Sequence, residues 1–455
     1  MRCRIDCARR LPEFSRVSAP APLSAPARPA LGLWTAIALV VGNMIGSGLF
    51  LLPSALASYG AAALLGWGIS IVGALALAVV FARLGQRNPR RGGPYAFAHQ
   101  AFGPAAGFVV AWSYWISTWC GNAAIAIAFA GYFGALVPAT TSTPLRAAAT
   151  ALVALWVCTL ANLAGVRSAG RVQLVTATLK LLPLAAIAFV GIWSIEPAAL
   201  QPFNRSGGNP WSVAIATAAL TLWAFLGLES ATIPAEDVGN PRRTIPRATL
   251  IGTTIAACAT LVACMVVVAL VPEATLTTSS APFADAAAQL WGAQAGSLFA
   301  AAAAIACFGA LNGWVLVQGQ VPLAAADDGV FPALFARRDA NGTPVSGLAV
   351  GSLMATILIV ANYQQSLVGL FTFSILVSTG ATLVPYLFCS AAEWRLSSMD
   401  RTIGARDGRP LAGFAVLFSA AALLGTGLEA LGWGAALLLA GVPVYLWQRR
   451  KAAQG

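Results

Sequence analysis

Residues 41–50 read VGNMIGSGLF, and what they offer chemically is main chain rather than a reactive side chain. Gly42, Gly46, Ser47 and Gly48 crowd into the first apolar stretch, where a bilayer-spanning helix needs about 20 residues. Each glycine inside a helix costs about 1 kcal/mol relative to alanine. An interruption here would offset that cost by freeing N–H and C=O groups in mid-membrane. Freed amides beside a half-helix amino terminus attract a carboxylate, and freed carbonyls accept from an ammonium; a zwitterionic amino acid carries both groups. A later stretch, TLWAFLGLESATIP, sets Gly227 beside the ionisable Glu229. A charge in mid-bilayer costs at least about 2.5–3.5 kcal/mol, so an acid there is expected to serve function. Close helix packing explains Gly42 and Gly46 as a small-xxx-small pattern. It does not explain Asn43, the second interruption or the acid beside it.

The elements that must carry these residues follow from composition. The chain of 455 residues is 58% hydrophobic and 9% charged, against about 25% charged in soluble domains, and its mean hydropathy is +0.77. It reads as an all-α integral membrane protein, because the apolar runs exceed the roughly 10 alternating residues of a membrane β-strand. Twelve spans are expected at 33–58, 61–83, 102–136, 145–165, 171–194, 211–235, 248–271, 293–326, 345–362, 366–392, 411–430 and 432–448. A disordered cytoplasmic tail (1–32), a transporter domain (33–448) and a short cytoplasmic tail (449–455) make up the chain. If spans 1–5 (about 33–194) and 6–10 (about 211–392) are copies, their odd number inverts the second, with 411–430 and 432–448 appended.

Charge sets the expected orientation. Of 27 Lys and Arg, only Arg146 and Arg205 fall in one set of alternate loops, and Lys180 falls inside a span. The remainder put both termini and the loops bearing Arg90, Arg91, Arg242, Arg243, Arg337 and Arg338 in the cytoplasm. The net charge of +12 thus reports topology and anionic lipid, not nucleic acid. The Arg- and Pro-rich first 32 residues lack the apolar core of a signal peptide, and a start placed too far upstream is an alternative. Cysteine spacing matches no zinc site, and Cys120, Cys158, Cys258, Cys264, Cys307 and Cys389 read as buried small hydrophobes. His99, beside a basic loop, reads as a solvated or headgroup residue. No metal or cofactor is expected.

Seven ordered segments, GNMIGSGLFLLPSALASYG, GGPYAFAHQAFGP, YWISTWCGN, LWAFLGLESA, NPRRTIPRAT, QVPLAAADDGVFP and TLVPYLFCSAA, resemble the amino acid, polyamine and organocation transporter superfamily, and within it most closely the bacterial arginine/agmatine antiporters. The resemblance runs from about residue 31 to 450. It implies the leucine-transporter-type 5+5 inverted repeat with broken helices 1 and 6, in a bacterial inner membrane, and a possible homodimer. It implies that Gly46, Ser47 and Gly48, with the Ile45 main chain, hold a substrate carboxylate beside Asn43, while carbonyls of Ile45 and of Trp223 to Leu226 hold the α-amino group. It assigns Trp223 to cation–π packing on the substrate side chain and adds Asn122, Trp314 and Ser378 to the site. Tyr114, Glu229 and Tyr386 match an outer gate, and Tyr95 a tyrosine implicated in pH sensing.

Departures bear on the substrate. Ser117, Thr118 and Ile125 stand where the antiporters carry Ala, Cys and Met, and Ala224 and Leu226 where they carry Ser and Ile. Lys180 replaces a small apolar residue and resembles sodium-independent permeases in which the ammonium takes the place of a coupling sodium. Three functions stay open: exchange of a cationic amino acid such as arginine for an amine such as agmatine, proton-coupled symport through Lys180 or Glu229, and a membrane enzyme or channel. Against the last, no zincin, nucleophile-elbow or phosphate-loop pattern occurs, and one intramembrane acid makes no ring of pore charges.

Overall fold

A computed structural model describes residues 31–45, 49–90, 92–164, 184–233, 235, 238–339, 342–399 and 408–452. In chain order the helices are α1 (Leu33–Ile45), α2 (Leu52–Leu56), α3 (Ala63–Arg87), α4 (Pro94–Phe102), α5 (Pro104–Leu136), α6 (Pro144–Leu163), α7 (Leu184–Ser194) and α8 (Pro210–Leu222). They continue as α9 (Pro241–Leu270), α10 (Glu273–Leu276), α11 (Pro282–Trp291), α12 (Ala293–Asp327), α13 (Val345–Ala361), α14 (Leu367–Met399), α15 (Arg409–Gly425) and α16 (Leu428–Ala452). Among the described residues the only extended pairing is an isolated parallel bridge between Leu31 and Val238.

Local chemistry explains where these helices begin. Proline opens α4, α5, α6, α8, α9 and α11, at a position whose N–H has no partner inside the helix in any case. Thr143 and Asn209 cap α6 and α8 by accepting from the Arg146 and Ser212 main-chain N–H groups. Among the described residues, eight helical stretches are long and apolar enough to cross a membrane, and four shorter apolar helices, α1, α7, α13 and α15, accompany them. Several sequence boundaries move. Span 10, expected to end at 392, continues in α14 to Met399. Helix α9 begins at Pro241 rather than 248, its basic first turns continuing the apolar span. The chain turns between α15 and α16 at 426–427, where Gly427 takes φ 90°, rather than at 431.

Packing is symmetric in an informative way. Helix α1 lies on α9 and α8 on α3, while α13 contacts α5 and α6 contacts α12. A helical hairpin also recurs. Short helices α4 and α11 each end on a glycine with φ 88°, Gly103 and Gly292, which starts the long helix α5 or α12. Four residues into each long helix, Gly107 and Gly296 press against the short one at matching offsets. A Cβ on Gly107 would lie 3.1 Å from His99 Cβ, and one on Gly296 2.9 Å from Ala288 Cβ.

Candidate functional site

Span 6 departs from the α-helix where the glycine and the acid predict it. Helix α8 stops at Leu222, Trp223–Phe225 form a tighter 3-10 turn, Leu226 is extended with ψ 132°, and Gly227 takes φ 102°, a region that favours glycine. Helicity resumes as a second 3-10 turn at Ser230–Thr232. The interruption packs against the end of α1: Asn43 Nδ2 donates to Ser230 Oγ at 2.8 Å. Ile45 and Ala224 are buried at this junction. Gly46, Ser47 and Gly48, the counterpart in span 1, lie outside the described residues, as does Lys180.

Between this interruption, α5, α12 and α14 lies a small cavity of about 10 Å³, room for roughly one water. Its walls bring together Ser117, Thr118, Ile125, Trp223, Leu226, Trp314, Ser378, Tyr114 and Glu229, all named from the sequence, and add Gly121 and Thr382. Glu229 is fully buried and accepts from Tyr114 Oη at 2.5 Å and Tyr386 Oη at 2.6 Å. It has no ion-pair partner among the described residues.

The hydroxyls on the α5 and α14 walls are spoken for as donors. Thr118 donates to the Trp115 carbonyl at 2.7 Å, Ser378 to the Ser117 carbonyl at 2.7 Å, and Thr382 to the Ser378 carbonyl at 3.0 Å. A hydroxyl has one proton, so Ser117 is the donor in its 2.5 Å contact with Thr382. This wall therefore turns only lone pairs inward, and the Glu229 carboxylate adds more. Trp223 and Trp314 supply ring faces, and their indole N–H groups are buried without a partner among the described residues.

Other expected residues stand apart from the lining. Asn122, fully buried, donates through Nδ2 to Gln318 Oε1 at 2.8 Å. Tyr95, in α4, donates to Asp328 at 2.9 Å and stacks on His99 with ring centroids 5.7 Å apart. Burial, then the Asp328 hydrogen bond and charge, push the Tyr95 phenol far above its ordinary range, so it remains a donor at physiological pH. Cys258 is exposed on α9, a correction to its reading as buried: a small apolar side chain is equally at home facing lipid.

Two features were missed in the sequence. Thr382 follows Ser378 by one helical turn, so the spacing rule that places both on one face would have found it. Glu393, just past the expected end of span 10, is fully buried and ion-paired at 2.7 Å to both Arg83 and Arg87, one turn apart on α3. Ser397 joins by donating to Glu393 and accepting from Arg87.

A bundle of helices long and apolar enough to cross a membrane, with an interrupted helix, a small aromatic and polar cavity and a buried acid, fits a membrane transporter, and the family and relatives it matches are transporters, not enzymes. The chain belongs to the amino acid permease family, whose model matches residues 31–441, within the amino acid, polyamine and organocation superfamily. It is 36% identical over 365 residues to a cadaverine/lysine antiporter of Escherichia coli strain K12, covering 79% of this chain and 82% of that one. It is 31% identical over 410 residues to the putrescine transporter PotE of the same strain, covering 90% and 93%. A Haemophilus influenzae PotE is 32% identical over 355 residues, covering 78% and 81%. The chain is a multi-pass amino acid/polyamine transporter acting on a small molecule.

Proposed function

We propose that the protein exchanges an external cationic amino acid for an internal amine by alternating access. One observation carries this reading: a buried carboxylate with no cation beside it among the described residues faces a cavity whose hydroxyl protons are all engaged. Such a wall suits a ligand end made of N–H donors, an ammonium or guanidinium, and Trp223 and Trp314 offer faces for its charge. Relatives named for lysine, cadaverine and putrescine support pairs such as lysine/cadaverine alongside the arginine/agmatine pair suggested by the sequence motifs.

The cavity is too small for any of these substrates, so transport requires the walls to part. The architecture we propose for that motion is twelve crossings built as two inverted five-span repeats plus two helices, with both termini cytoplasmic in a bacterial inner membrane. The recurring α4–α5 and α11–α12 hairpins and the exchanged helix contacts support it. Gly46, Ser47 and Gly48 would take the carboxylate, and Lys180 would stand in for a coupling cation and make transport sodium-independent.

The test is counterflow in proteoliposomes. Vesicles preloaded in turn with cadaverine, putrescine and agmatine should take up labelled lysine, ornithine or arginine without sodium, and empty vesicles should not. Preferential uptake of a neutral amino acid would overturn the cationic reading. Strong uptake into empty vesicles driven by an inward proton gradient would replace exchange with symport.

A further inference from the structure

Three hydrogen bonds on the Gln318 amide leave one orientation for Asn122. Gln318 is fully buried on α12, and its Nε2 donates to the Leu348 carbonyl and to Ser352 Oγ, both at 3.1 Å. A carbonyl only accepts, so Leu348 decides which end of that amide is nitrogen. Oε1 is then left to accept, and Asn122 Nδ2 is the donor that meets it. Asn122 Oδ1 is turned away from Gln318, buried and without a partner among the described residues.

The orientation is anchored away from the cavity. Ser352 Oγ shares a 2.7 Å hydrogen bond with Thr159, whose hydroxyl also reaches the Leu155 carbonyl at 2.8 Å, so the chain of bonds ends in α6 and α13. Gly351 makes space for it: a Cβ there would lie 2.4 Å from the Gln318 amide carbon. Asn122 stands on α5 one turn after Thr118 and one before Ile125, and both of these line the cavity.

We propose that Gln318 is a positioning residue of the substrate site, holding the Asn122 amide with its oxygen free as an acceptor for an N–H of the substrate's cationic end. Rotated the other way, the same amide would offer N–H groups to a cation. The proposal rests on the cationic-substrate reading above.

Aspartate at 122 separates orientation from mere packing, because both of its oxygens accept and no partner need choose between them. Binding of lysine and of cadaverine to the purified full chain is measured by calorimetry. Gln318→Met should weaken both by about tenfold in the wild-type background, the scale of one hydrogen bond to a charge, and by less than about twofold in the Asn122→Asp background. Equal losses in the two backgrounds would overturn the positioning role. Should Gln318→Met fail to fold, Ser352→Ala, which removes one of the two acceptors, carries the same comparison, and again equal losses refute it. Unchanged binding in Asn122→Ala would overturn the placement of substrate beside Asn122, a failure of the site reading that the Gln318 comparison does not mimic.

Discussion

Gly227 meets Asn43 where the interrupted span 6 crosses the end of α1: a Cβ on Gly227 would lie 3.2 Å from Asn43 Cβ and 3.3 Å from its carbonyl carbon. With φ at 102°, the position is closed to other residues on conformational grounds as well. Gly227→Ala should cost about 1–3 kcal/mol from backbone strain, seen as a lower melting temperature of the detergent-purified protein. Asn43→Ala, which loses the Ser230 hydrogen bond, should cost about 1 kcal/mol. A Gly227→Ala protein as stable as wild type would refute this account of the junction.

Glu229 is held by two phenols, so its contributions separate by substitution. Glu229→Gln keeps the shape but removes the charge, and affinity for lysine or cadaverine should fall at least about tenfold. Tyr114→Phe and Tyr386→Phe each remove one hydrogen bond to a charged group, worth about 1.5–3 kcal/mol. Binding by Glu229→Gln with wild-type affinity would show that substrate does not engage this acid.

Trp223 tests the substrate's charge directly. Trp223→Leu should lower affinity for a cationic substrate about thirtyfold, a loss of about 2 kcal/mol in a desolvated site, and Trp223→Phe should keep part of it. Equal affinities for the Leu and Phe variants would argue against cation–π contact.

The Glu393 cluster predicts a stability effect remote from the cavity. Glu393→Gln takes the counter-charge from the Arg87 guanidinium, only 7% exposed, and one partner from the partly covered Arg83. Removing one partner of such a buried pair costs about 3–5 kcal/mol. Unfolding in denaturant should shift accordingly, while Arg83→Met, at the wetter edge, should cost less. Indistinguishable unfolding of the two variants would count against this view.

The amino acid order by itself determined the membrane class, the approximate position of most of the described helices and the interruption of span 6. Each of these is a local property: apolar run length, a proline that starts a helix, a glycine that leaves it. The family resemblance carried by its motifs also marked most of the cavity wall, Thr118 and Ile125 on one span and Trp223 and Leu226 on another. Tertiary structure alone decided what those residues face. Tyr114 and Tyr386 reach one carboxylate from different helices, Glu393 finds its arginines on α3, and Gln318 ties α5 to α13. Periodicity gives the face a residue occupies on its own helix but not which neighbour lies against that face. Ion pairs and amide orientations depend on atoms brought together from distant parts of the chain, and only the packed bundle sets those distances.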